Sequence, residues 1–73
     1  MSTKLEHHDW TIHTRPEKKG FHWHAWVEVE RAPREDEDAG HIFHFTDIGY
    51  FDTEAAAHDR GIAWARAWLD SNY

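Results

Sequence analysis

From Trp10 to Phe45 apolar and polar residues alternate along the chain, and from Thr53 onward they recur at helical spacing. Trp10 and Ile12 are separated by Thr11 and His13, and this run closes at Arg15-Pro16, where proline has no amide hydrogen to give to a ladder. It predicts a short first strand. The stretch Phe21 to Arg31 is the clearest strand: Phe21, Trp23, Ala25, Val27 and Val29 alternate with His22, His24, Trp26, Glu28 and Glu30. A third strand is predicted from about His41 through Ile42-Phe43-His44-Phe45-Thr46, before a bend at Asp47-Ile48-Gly49. Pro16 to Gly20 reads as a polar turn, and Ala32 to Gly40, with its acidic run Glu35 to Asp38, as a solvated, mobile loop.

The helix is predicted over Phe51 to Leu69, capped by Thr53 or Asp52, with Glu54 at the positive end of its dipole. One arc carries Ala57, Gly61 and Ala65, flanked by Ile62 and Leu69 on one side and by Trp64 and Trp68 on the other. A row of small side chains lets a helix lie close on a sheet. His58, on the same arc, is expected to donate to a backbone carbonyl.

Antiparallel pairing tests these assignments. A first turn centred between Glu17 and Lys18 sets Trp10 opposite Ala25, Ile12 opposite Trp23, Thr14 opposite Phe21 and His13 opposite His22. A second loop centred near Asp36 sets Val29 opposite Phe43, Val27 opposite Phe45 and His44 opposite Glu28. Both join apolar to apolar. The predicted fold is α+β: a three-stranded antiparallel sheet with one C-terminal helix packed on one face (βββα), in two layers. Residues 1–8 are expected as a flexible N-terminal arm with His7 and His8 solvated, and residues 9–73 as a single small domain.

Composition narrows the function. The chain has no cysteine, so disulfides and thiolate metal sites are excluded, and five tryptophans supply the apolar mass such staples would otherwise replace. No long apolar run suggests a membrane span, and a cytoplasmic location is expected. The net charge of −6 disfavours nucleic acid as a partner, although eight histidines could carry it across zero on acidification. No glycine-rich phosphate loop, nucleophile elbow or helical metal-ligand motif is present, so the expectation is that the protein is not an enzyme.

With the helix on one side, Thr11, His13, His22, His24, Trp26, Glu28, His44 and Thr46 are predicted on the uncovered side. Trp26 with His22, His24, His44 and Glu28 forms the candidate partner-binding surface, since aromatics concentrate at the centres of such surfaces. His13, His22 and His24 form a candidate metal set, with zinc as the ion three imidazoles would take; otherwise no cofactor is implied. In this register His44 lies too far along the strands to join them.

Trp26-Val27 on the middle strand, Phe51-Asp52-Thr53 and Ala57 at the head of the helix resemble the strand-strand-helix portion of the plant ethylene-response type of DNA-binding domain. The outline over residues 20–69 also resembles phage integrase arm-binding domains and small bacterial proteins of unassigned function. The DNA-binding resemblance implies a sheet face that enters the major groove through arginines and tryptophans. Here only Trp26 matches, with histidine and glutamate at the neighbouring outward positions. The sequence therefore points to a non-enzymatic bacterial or phage interaction module that binds a protein partner or a second copy of itself. A nucleic-acid module is the first alternative and a histidine metal domain the second.

Overall fold

The computed structural model describes residues 3–73, so Met1 and Ser2 of the expected arm lie outside the described residues. The chain runs through β1 (Thr3–His7), β2 (Trp10–Thr14), β3 (Glu17–Lys19), β4 (His22–His24), β5 (Val27–Arg31), β6 (His41–Phe45), β7 (Tyr50–Phe51) and α1 (Glu54–Asn72). The fold is α+β with antiparallel sheets and one C-terminal helix. The expected single three-stranded sheet is replaced by a four-stranded sheet, β1-β2-β5-β6, and a three-stranded sheet, β3-β4-β7.

Two features account for the difference. First, Thr3, Leu5 and His7 alternate with Lys4 and Glu6, and a turn at His8-Asp9, with His8 at φ 56°, folds this stretch back on β2 with Leu5 opposite Ile12. Residues 3–7 of the expected loose arm are thus an edge strand whose half-buried Leu5 packs on the core. Second, the first hairpin is longer than predicted. Ile12 pairs with Val29, Thr14 with Val27, Glu17 with His24 and Lys19 with His22. The turn is Gly20-Phe21, where Gly20 takes the positive φ of 63° that a side chain resists. Glu17 to Lys19 is therefore strand, and Phe21, expected to face the helix, is 94% exposed at the tip. The ladder breaks at Pro16, and the Arg15 amide still donates to the Trp26 carbonyl at 3.3 Å, so one register runs through both sheets.

The helix covers one side of the four-stranded sheet. Thr53 caps it by accepting from the Ala56 amide at 3.1 Å, which satisfies an otherwise orphaned donor, and Glu54 sits in its first turn. Ala57, Gly61, Ala65 and Leu69 are its buried residues, and Trp10, Ile12, Val27 and Val29 lie beneath. Phe45 packs between Trp64 and Trp68, with ring centroids 4.5 and 4.9 Å away. His58 bonds not to a backbone carbonyl but to the Thr3 hydroxyl at 2.7 Å and Asp59 at 3.1 Å, joining the helix to β1. His7 is tied rather than solvated, with Nε2 2.8 Å from Asp70 in the last turn of the helix.

The β5–β6 loop has an anchor that the acidic run conceals. Glu37 accepts from the Arg31 guanidinium at 3.0 Å and from the Arg34 amide at 2.9 Å, while its own amide donates to the Arg34 carbonyl at 2.9 Å to close a turn. Donation from Arg31, then from the Arg34 amide, holds the Glu37 carboxyl at about 2, below its ordinary 4.5. The contact therefore stabilises the fold fully above pH 4.5 and is lost as pH falls towards 2. Glu37→Gln is expected to lower the melting temperature at pH 7 more than Glu35→Gln does. The deficit relative to wild type should shrink as thermal melts are taken down to about pH 2.5; a deficit constant with pH would contradict the assignment.

Candidate functional site

The continuous register places the outward side chains of the long hairpin on paired rungs. In order along the ribbon these are Thr11 with Glu30, His13 with Glu28, Arg15 with Trp26, Glu17 with His24, and Lys19 with His22. Neighbouring strands extend them: Lys4 lies beside His13, His44 beside Glu28, Ile42 beside Glu30 and Tyr50 beside His24. These positions follow from period two alone, because Ile12, Thr14, Val27 and Val29 take the side facing the helix.

Trp26 sits at the middle of this face. The Arg15 guanidinium lies 5.5 Å from its ring centroid, a cation over an aromatic face, and the His44 ring approaches at 6.1 Å. The Trp26 carbonyl is fixed from the other side by the Thr14 hydroxyl at 2.9 Å. At one end of the face His24 stacks on Tyr50, ring centroids 5.0 Å apart, and its Nε2 contacts the Thr46 carbonyl. His22 is exposed, with Nδ1 3.7 Å from Asp52.

At the other end charge is concentrated. His13 Nε2 lies 2.9 Å from Glu30, and His44 Nδ1 lies 3.3 Å from Glu28. Of the predicted partner-binding set, Trp26 lies between the two sheets beside His44, which pairs with Glu28 on the four-stranded sheet, whereas His22 and His24 belong to the smaller sheet at the far end of the same ribbon side. His13, His22 and His24 are not brought together. His13 faces Glu28 rather than His22, six positions further along the strand.

Lys4, Arg15, Glu17, Lys19, Glu30, Ile42 and Tyr50 lie on this face outside the set predicted from sequence. Arg15 closes the predicted first strand, and its parity with His13 is the signal that places it here. Tyr50, 61% exposed, lies on a two-residue strand too short to leave a period. Glu30 has the right parity but, in the predicted register, no charged partner.

Among the described residues no helix is long and apolar enough to cross a membrane. No family model matches the chain, and no curated protein or solved structure matches it.

Proposed function

We propose that the chain is a non-enzymatic protein-interaction module whose uncovered ribbon face pairs with a second copy of itself. The observation that carries this reading is the Arg15–Trp26 rung, an arginine stacked on a tryptophan at the centre of a face that no other layer covers among the described residues. Arginine and tryptophan are the side chains that most often dominate binding energy at protein surfaces.

The rungs on either side argue for a second copy. One flanking rung is His13 with Glu28 and the other is Glu17 with His24. A half-turn about the Arg15–Trp26 rung exchanges them, setting His13 of one chain over Glu17 of the other and Glu28 over His24. The next rungs set Glu30 over His22. The flanking rungs are thus complementary to their own image, as a two-fold interface requires, and the central rung meets itself with each guanidinium held over its own indole. A duplex would instead meet Glu6, Glu17, Glu28 and Glu30 against Lys4, Arg15 and Lys19 at this surface, a balance that gives the nucleic-acid reading less support.

Sedimentation equilibrium of the full chain tests the proposal. Trp26→Ala is expected to weaken self-association by about thirtyfold, corresponding to the roughly 2 kcal/mol that defines a dominant contact. His24→Glu, which sets a carboxylate against Glu28 of the second chain, should weaken it as well. A monomeric wild type at about millimolar concentration, or association unaffected by both substitutions in folded variants, would overturn the reading.

A further inference from the structure

The long register substitutes two carboxylates for the two imidazoles that sequence alone sets beside His13. Glu28 lies directly opposite it and Glu30 follows on the same side of β5. One imidazole nitrogen of His13 and one carboxylate oxygen from each glutamate all lie within 4.8 Å of one another. Tetrahedral zinc at bond lengths near 2.1 Å holds its ligands about 3.4 Å apart, so modest side-chain rotation closes the set. We propose that His13, Glu28 and Glu30 form a binding site for a divalent transition-metal ion, with zinc the best match to one nitrogen and two oxygen ligands.

Charge and placement both support it. Glu28 and Glu30 are partly withdrawn from solvent, with side chains 20% and 38% exposed, and so is His13 at 28%. A divalent ion balances both carboxylates. Lys4, across from His13 on β1, forms no ion pair with either carboxylate among the described residues. His44 approaches Glu28 from β6 at 3.3 Å; it stands outside the set of mutually close ligand atoms and is placed to orient Glu28. A cavity of about 390 Å³, lined in part by Lys4, His13, Trp26 and Glu28, leaves the outer side open to water or a small ligand. All three ligands belong to one chain, so the site is complete in the unpaired chain, where its outer side is uncovered.

A second group, His7, His8 and Asp70, lies at the far end of the helix and must be separated experimentally. Zinc chloride is titrated into the full chain and into the His7→Gln/His8→Gln variant, with imidazole nitrogen resonances recorded and affinity measured by competition with a chelating indicator. The His13 resonances are expected to shift saturably, with one equivalent bound in the double variant. Glu30→Gln, which keeps the shape and removes the charge, should cost tenfold or more in affinity while its amide spectrum remains that of the folded chain. Binding should persist in Trp26→Ala. The proposal is overturned if the His13 resonances stay unmoved at about 100 μM zinc. It is equally overturned if Glu30→Gln binds like wild type, or if binding is lost with either His7→Gln/His8→Gln or Trp26→Ala.

Discussion

Ile12→Ala is expected to remove about 2–5 kcal/mol of stability, the range measured when a large aliphatic side chain is deleted from a packed core. Ile12 is fully buried at the centre of β2, between Leu5 on β1 and Val29 on β5, under the helix residues Ala65 and Leu69. Its neighbours cannot readily collapse into the space. Val29 is β-branched and held in a ladder on both sides, and the sheet backbone cannot move without breaking pairs. A domain of 73 residues has roughly 4–11 kcal/mol in total, so one methyl-rich side chain can decide whether it folds at 37 °C. Urea unfolding checks this: the midpoint should fall with an unchanged slope, and a loss below about 1 kcal/mol would place Ile12 outside the core.

The second large effect is at Gly61. A Cβ at this position would lie 3.0 Å from Val27 Cγ2 and 3.1 Å from Thr14 Oγ1. Neither neighbour can turn aside. Val27 is fully buried and stiff at χ1, and the Thr14 hydroxyl is committed to the Trp26 carbonyl at 2.9 Å. Gly61→Ala therefore sets overpacking of about 1–3 kcal/mol against about 1 kcal/mol gained in helix propensity, and the net is a loss. Gly61→Leu has no room to compensate and is expected to cost about 3 kcal/mol or more, because the helix must lift from the sheet to admit it. Circular dichroism melts of the pair test the close approach. A more stable Gly61→Ala would show that the helix lies further from β2 and β5 than described.

Both effects concern the side of the sheet that was legible from alternation. The inward set Ile12, Val27 and Val29, the pairing of Val29 with Phe43 and Val27 with Phe45, and the Thr53 cap all follow from period and spacing. The first hairpin was not legible, for a physical reason. Alternation forbids a register slip of one residue but permits even slips, and the six-residue displacement keeps Trp10, Ile12, Val27 and Val29 on their side. What fixes the register is the turn, and the turn was hidden. Glu17-Lys18-Lys19 has turn composition yet forms a strand, because an arm projecting into solvent has no buried face to require apolar residues. Phe21 looks like a core residue and instead occupies the tip.

Consequences for the candidate site follow from that displacement. Under the predicted register His13 meets His22 and His44 stands apart, whereas in the folded chain Glu28 has His13 on one side and His44 on the other. Edge strand β1 escaped notice because Leu5 is its one strongly apolar residue, and the anchor in the acidic loop because Glu37 differs from Glu35 only in what it reaches.

The central claim is that the face opposite the helix, centred on Arg15 and Trp26, is the contact surface. It is tested most directly by the amide and indole shifts of the full chain followed through dilution from about millimolar to micromolar concentration. The account predicts concentration-dependent shifts at Arg15, His24, Trp26, Glu28 and Tyr50, with the exposed helix positions Asp59, Arg66 and Asp70 unmoved. Shifts confined to those helix positions, or no shift anywhere, would contradict it.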